Sequence, residues 1–283
     1  MRRNIIRQSE GQVLLVTLLV LTIAVTIALA LIARTTTDLS ISNKVEDSAR
    51  AFNAAEAGIE DSLRSGQGST SAQVLSNGSQ YTVSVASIGG ATGVYTFPQK
   101  TLQGTVQTLW LASHNATDNT LGPPTGTAYR GNSIDVCWSQ ETVEPALEVS
   151  VWLSNGTVFR RTYDPDATRR TDNGFITPTA TSNGCGNATM YRQHIVFATD
   201  FSNTVDVSAA TGNLRMMRIR AIYADTNVAI DTGTNTLPEQ GKRVESVGTS
   251  GAGVTRRIVV YQQFRAPLNL FDNVLYSQQD LSD

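Results

Sequence analysis

The chain begins with a long block of apolar residues that no charge interrupts. Residues 13–33 contain no charged residue, glycine or proline, and their only polar side chains are Thr17, Thr22 and Thr26. As an α-helix this block spans about 31 Å, which matches the hydrocarbon core of a bilayer. A threonine is tolerated there because its hydroxyl can donate to a backbone carbonyl one turn back. The pattern predicts a membrane-spanning helix over 13–33.

The helical pattern continues beyond the apolar block. Residues 38–63 contain no proline, and their only glycine is Gly58. Apolar positions recur there at spacings of three and four residues, as in an amphipathic helix. The positions that form this stripe, and that we expect at helix interfaces, are Val45, Ala49, Phe52, Ile59 and Leu63. The sequence therefore predicts one helix over 12–65, apolar all round in its first half and on one side in its second.

Residues 66–283 have a different pattern, with short runs of β-branched and aromatic residues separated by Gly, Ser, Asn and Thr. Such runs predict strands. The predicted strands are 80–85, 106–111, 133–139, 147–153, 157–162, 193–198, 214–223, 228–231, 243–247 and 256–261. Asn155-Gly156 between two of them predicts a type I′ hairpin. The fold class predicted for the chain is α+β, a long N-terminal helix followed by a β-rich, sandwich-like domain.

Two organisations of this β-rich domain fit the sequence. In the first, a small sheet built from 74–103 and 236–283 packs on the helix, and a β-sandwich over 104–235 is inserted into it. The expected edges of the insertion are two clusters of turn-forming residues, 123–126 and 232–235. In the second, one continuous sandwich covers 74–265. In both, we expect the apolar residues of 266–283 to pack back on the domain.

The charges around the apolar block predict its orientation in a membrane. Arg2, Arg3 and Arg7 precede the block, whereas the stretch that follows Arg34 is of mixed charge. Because positive flanks stay in the cytoplasm, we expect a single-pass protein of the cytoplasmic membrane, with its N-terminus inside and its C-terminal domain outside. The formal net charge is −2. That charge excludes a nucleic-acid surface spread over the whole chain.

The N-terminal region resembles that of type IV pilin-like proteins, and it is most similar to minor pilins and pseudopilins of the PilX type. The resemblance covers about residues 8–63. It is carried by the basic leader that ends in Gly11, the apolar block after it, Arg34-Thr35-Thr36-Thr37 and the segment AFNAAEAGIE at 51–60. It implies that 1–11 is a leader, that a prepilin peptidase cleaves after Gly11, and that Gln12 becomes the N-terminus. It also implies other pilin subunits as partners and an extracellular filament after assembly.

The sequence departs from the major pilins at two positions. The mature chain would begin with Gln12, where major pilins usually have Phe or Met, and its fifth residue would be Val16, where they have Glu. No carboxylate lies between Gly11 and Asp38. Within the family, absence of this Glu is associated with minor subunits near the filament tip. The resemblance therefore implies a non-enzymatic minor subunit that presents its β-domain for adhesion or assembly priming.

The candidate chemistry of the β-rich domain is sparse. Cys137 and Cys185 are the only cysteines, and an exported pair predicts a disulfide. Asp164, Asp166 and Asp172 offer oxygen ligands of the kind that calcium takes, but Arg169 and Arg170 interrupt an EF-hand pattern. We therefore predict no cofactor, with calcium on these aspartates as the alternative.

Three other functions are compatible with the sequence. The first is a cationic face that binds DNA or an anionic surface. Its arginines are Arg160, Arg161, Arg169, Arg170, Arg215, Arg218 and Arg220. The second is a permanently membrane-anchored surface adhesin or binding module that no prepilin peptidase processes. The third is an anchored hydrolase, which would require Asp164, Asp166 and His194 to converge beside a nucleophile.

Overall fold

A computed structural model gives the structure of the chain and describes residues 9–69, 71–115, 120–122, 128–201 and 213–268. The helices are α1 (Ser9–Ser65), α2 (Ala167–Asn173) and α3 (Phe197–Asp200). The strands are β1 (Gln73–Val74), β2 (Gln80–Gly89), β3 (Val94–Thr96), β4 (Val106–Trp110), β5 (Ser133–Ser139), β6 (Ala146–Leu153), β7 (Val158–Tyr163), β8 (Met190–Val196), β9 (Leu214–Ile222), β10 (Val228–Asp231), β11 (Glu239–Thr249) and β12 (Thr255–Gln263). The predicted α+β layout is confirmed, since one long helix precedes a β-rich domain.

The ten predicted strands are all present, with ends shifted by a few residues. The sequence missed β1 and β3 because strands of two and three residues are too short to show an alternating pattern. It also missed α2, although the sequence contains residues typical of both helix ends. Asp166 caps the N-terminus of α2 with its carboxylate, and Gly174 ends it in the left-handed conformation.

The chain forms two compact units. The first comprises the described residues up to Val85 together with Val244–Val260. It contains α1 and parts of a four-stranded sheet of order β1-β2-β11-β12. The core of this unit is small and consists of Ala54, Ile59, Tyr81, Val83 and Val244.

The second unit comprises Ala86–Arg243 and the described residues from Tyr261 onward. It contains two four-stranded sheets, of order β3-β10-β5-β8 and β4-β9-β6-β7, whose neighbouring strands are antiparallel. Side chains from both sheets meet in one core, including Val136 and Trp138 from β5, Val149 from β6 and Ile219 from β9. Alternation along the strands brings these residues to the inner faces, as expected for a buried sheet face.

The unit boundaries differ from both organisations expected from the sequence. The second unit begins at Ala86, before the expected edge at 104, because β3 pairs with β10 across more than 130 residues of sequence. The first of its two stretches ends at Arg243, after the cluster 232–235. The other expected edge, 123–126, lies outside the described residues, as do residues 269–283 of the C-terminal segment.

The hairpin between β6 and β7 is present, but its turn is not type I′. Leu153 N donates to Thr157 O, so the loop has three residues, Ser154, Asn155 and Gly156. Only Gly156 of these has a positive φ, at 83°. Three-residue loops with a left-handed last residue are the next common hairpin class. The Asn-Gly pair therefore located the hairpin and its three-residue loop correctly, whereas the predicted turn type is wrong.

Candidate functional site: the N-terminal helix

The N-terminal half of α1 is an exposed apolar rod. Helix α1 is the one helix among the described residues that is long and apolar enough to cross a membrane, and its most apolar window makes no buried contact within the chain. Its three threonines satisfy their hydroxyls internally: Thr17 donates to Val13 O and Leu14 O at 3.0 and 2.9 Å, and Thr22 and Thr26 do the same one turn back. The side chains therefore present no unpaired hydroxyl to hydrocarbon.

The residues of the expected processing site lie in the first turns of this helix. Helix α1 begins at Ser9, so the peptide bond between Gly11 and Gln12 has helical geometry. Gln12 is exposed. A peptidase that acts on an extended backbone would have to unwind this turn, and Gly11 lowers the helical stability there by about 1 kcal/mol relative to alanine.

The C-terminal part of α1 packs on the sheet of the first unit through small residues. The buried positions recur at spacings of three and four, and they are Ala51, Ala54, Ala55, Gly58, Ile59 and Ser62. Ala51, Ala54 and Ala55 have no exposed surface. Because these side chains are short, the helix backbone can lie very near the strands, and Ile59 is the one large apolar side chain in this face.

Two glycines mark the points of nearest approach between α1 and the sheet. A Cβ added at Gly58 would overlap Ser246 Oγ and lie 2.7 Å from Tyr81 Cδ2 and 2.8 Å from Val83 Cγ2. A Cβ added at Gly248 of β11 would overlap the carbonyl oxygen of Ala51. Real Cβ contacts are essentially never found at such distances. A side chain at Gly58 would therefore displace the facing side chains, and one at Gly248 would displace the helix backbone or the strand.

Polar contacts fix the register of the helix on the sheet. Arg256 of β12 donates to Ser48 Oγ through Nε and Nη2, at 2.8 and 2.7 Å. Tyr81 donates its hydroxyl to Asp61 Oδ2 at 3.3 Å. Burial, and after it the negative charge of Asp61, raises the pKa of Tyr81. The phenol therefore stays protonated and keeps donating at neutral pH.

The stripe predicted as a helix interface divides into two parts. Ile59 is buried in the core of the first unit, whereas Val45, Phe52 and Leu63 are 63%, 45% and 44% exposed. Ala49 is exposed as well. Seen along the helix axis, the buried face is centred roughly 110° from the exposed one, at 100° per residue. Helix α1 therefore carries a second apolar face that the described residues leave uncovered.

The predicted disulfide is present. Cys137 of β5 and Cys185, in the loop before β8, are bonded with a Cα–Cα distance of 6.0 Å. Cys137 and its neighbour Trp138 are fully buried, and Trp138 Nε1 donates to Pro145 O at 2.8 Å. The bond links the loop before β8 to β5, an inner strand of the sheet β3-β10-β5-β8.

Asp164 and Asp166, two of the calcium candidates, are used by the protein itself. Asp164 is fully buried, and Arg169 donates to its two oxygens at 3.1 and 2.7 Å. Asn173 and the backbone N–H of Asp166 also donate to it. Burial opposes ionisation of Asp164, but these donors together hold the pKa of its carboxyl below the ordinary value. Asp172 is exposed, and no group of three potential metal ligands occurs among the described residues.

The two histidines have separate surroundings. His194 Nδ1 is hydrogen-bonded to Asp135 Oδ1 on the neighbouring strand, so its carboxylate partner is neither Asp164 nor Asp166. His114 stacks on Phe264 with ring centroids 4.0 Å apart, and burial lowers the pKa of His114. The convergence that a hydrolase would need is thus not formed by the residues that the sequence pointed to.

Several arginines of the predicted cationic face are bound within the second unit. Arg169 pairs with Asp164, and Arg218, only 2% exposed, donates to Pro267 O at 2.7 Å. The remaining contacts of this kind are Arg161 to Asp200 O, Arg170 to Asp164 O, Arg215 to Gly122 O and Arg220 to Glu148. These arginines stabilise loops and strands of the second unit. The spacing of arginines in the sequence could not distinguish this structural role from ligand binding.

The chain was also compared with protein-family models, with curated proteins and with solved structures, and none of the three comparisons found a match.

Proposed function

We propose that the protein is a minor pilin-like or pseudopilin-like structural subunit of a type IV pilus-type filament. The observation that carries the proposal is the make-up of α1, whose exposed apolar stretch continues without a break into a part that packs on the sheet of the first unit. An anchor alone needs about 20 residues to cross a bilayer. Helix α1 has 57 residues, or about 86 Å.

In this proposal the subunit first resides in the cytoplasmic membrane as a single-pass protein, with its N-terminus inside. During assembly the apolar part of α1 leaves the lipid and enters a bundle of like helices, where side-chain packing replaces contact with lipid. Val16 stands where a major subunit has a carboxylate, which makes residence in the membrane less costly. Without a carboxylate at this position the subunit cannot form an ion pair there with a neighbouring subunit, which suits a subunit present in few copies.

The exposed face of α1 beyond the membrane supports the same proposal. Val45, Ala49, Phe52 and Leu63 form an apolar stripe on the side that does not meet the sheet. In a filament this stripe would pack on helices of neighbouring subunits. A permanently anchored binding module, the alternative, has no need of a helix that continues beyond the membrane with an apolar face open to solvent.

The β-rich domain would be the displayed part of the subunit, as a sandwich-like head that serves adhesion or assembly priming. The two sheets that share one core support a sandwich, and the disulfide suits a domain exported to an oxidising compartment. We propose a non-enzymatic role without a cofactor. The partner of the head, a surface or DNA, would be recognised outside the cell.

The proposal is tested by the mass and N-terminal sequence of the protein extracted from membranes, with and without a co-expressed prepilin peptidase. We expect a mature chain that starts at Gln12 only when the peptidase is present. The variant Gly11→Arg should block this processing, and Gln8→Arg, which adds the same charge three residues earlier, should not. A full-length chain in every sample would reject the filament subunit and favour the anchored adhesin.

A further inference from the structure

The second unit contains a small cavity that the proposed function does not use. It has a volume of about 140 Å³ and is lined by Pro98, Gln99, Gln107, Tyr261 and Gln263. Three segments build it: the connection between β3 and β4, the strand β4, and the end of β12. Pockets that enclose whole drug-sized ligands measure roughly 300–1,000 Å³. This cavity therefore suits a single ring of a ligand and not a long one.

The lining is polar and neutral. As far as the described residues define it, it carries three side-chain amides, one phenol and no charged group. Each amide offers one acceptor oxygen and two N–H donors, the complement of a hydroxyl that both donates and accepts. Within the described part of the chain, the amides of Gln99 and Gln107 make no hydrogen bond to protein. They are thus free to bind a ligand.

A buried phenol next to the lining residue Gln263 has no hydrogen bond of standard geometry within the described part of the chain. Tyr95 is 9% exposed, and no group among the described residues completes a hydrogen bond of standard geometry to its hydroxyl. That hydroxyl interacts with Gln263, one of the lining residues, while burial raises the pKa of Tyr95 to about 12. Buried polar atoms are normally hydrogen-bonded. A polar ligand or water that reorients Gln263 would satisfy this group.

Tyr261 supplies the remaining element of the site. It is 44% exposed near the end of β12 and is one of the residues that line the cavity. An aromatic face packs well on the C–H face of a pyranose ring, and the phenol at its edge can bond a hydroxyl. An anionic or cationic ligand would find no opposite charge in this lining.

We infer that the cavity binds one neutral hexopyranose unit of a glycan. Gln99, Gln107 and Gln263 bond its hydroxyls, and Tyr261 covers its apolar face. The inference concerns the ligand of the β-rich domain, and it does not depend on processing after Gly11 or on filament assembly.

The test uses the full-length chain, in a detergent without a sugar headgroup, and a panel of methyl glycosides. The panel consists of the α- and β-methyl glycosides of glucose, galactose, mannose and N-acetylglucosamine. Binding is measured by saturation-transfer NMR and by titration. We expect at least one glycoside to bind with a dissociation constant of about 1 mM, because a ligand of this size makes few contacts.

Paired variants of neighbouring residues separate the cavity from the rest of the surface. Gln107→Leu and Gln99→Leu should each weaken binding about tenfold, and Gln99 lies in an exposed connection where the change leaves folding intact. Gln262→Leu is the matched control, since Gln262 stands between two lining residues of β12 without lining the cavity. No binding of any glycoside up to about 50 mM, or equal loss in the Gln262→Leu control, would overturn the inference.

Discussion

Replacing Gly248 by alanine probes how closely the sheet of the first unit approaches α1. A Cβ at this position would overlap the carbonyl oxygen of Ala51 and lie 2.5 Å from Ala55 N and 3.1 Å from Ala55 Cα. All three are backbone or Cα atoms of a helix, so no rotamer change can make room for the new methyl group. Either the helix or strand β11 must move.

The size of the effect follows from two opposing terms. Overpacking of this kind costs about 1–3 kcal/mol. Alanine recovers about 0.4–1 kcal/mol, because it restricts the unfolded chain more than glycine does. Since the obstruction is backbone, we expect the overpacking cost to lie near its upper end and the net loss to be about 2 kcal/mol. That loss corresponds to an opening equilibrium about 30-fold more favourable.

Hydrogen exchange of the full-length chain, followed by mass spectrometry, measures this opening locally. Peptides that cover 51–62 of α1 and 244–249 of β11 should exchange about 30-fold faster in Gly248→Ala. Gly251→Ala is the control, because the nearest atom to its new Cβ is Gly78 O at 3.7 Å. Unchanged exchange in Gly248→Ala, or the same acceleration in both variants, would refute the close approach of β11 to α1.

Three further predictions concern the disulfide, a buried ion pair and the two faces of α1. Cys185→Ser opens a loop of 48 residues and should cost the second unit about 4 kcal/mol, seen as a lower thermal midpoint that reductant no longer changes. Arg169→Ala leaves the buried Asp164 carboxylate without its cation and should cost about 3–5 kcal/mol in urea unfolding at pH 7. Because the pKa of Asp164 is held below the unfolded value of about 3.9, its contribution is present above pH 4 and lost as pH falls further, so Asp164→Asn should remove this part of the acid sensitivity. Ile59→Ala should destabilise the first unit by about 2–5 kcal/mol, whereas Phe52→Ala should leave unfolding nearly unchanged and, if the filament proposal holds, lower incorporation into filaments.

Local sequence patterns predicted much of the fold. The helix and ten strands were found because their periodicities extend over several residues, and the disulfide was found because the chain has only two cysteines. Strand β1 was not predicted because it has only two residues, which pair with the start of β2. Strand β3 was not predicted because pairing with the distant β10, and not its own pattern, makes it a strand. The sequence also did not predict that Asp164 forms a buried ion pair. Arg169 lies close to it in sequence but binds it only once α2 has formed.

The sequence by itself determined the uninterrupted apolar stretch, the length of α1 and the β-rich character of the rest. Only the tertiary structure decided which face of α1 meets the sheet. Hydropathy weights large apolar residues and therefore selected Val45, Phe52 and Leu63, which are exposed. Close packing of a helix on a sheet depends instead on how near the two backbones can come. That distance is set by Ala51, Ala54, Ala55 and Gly58 of α1 and by Gly248 across from them, residues whose importance appears only when the two surfaces are brought together.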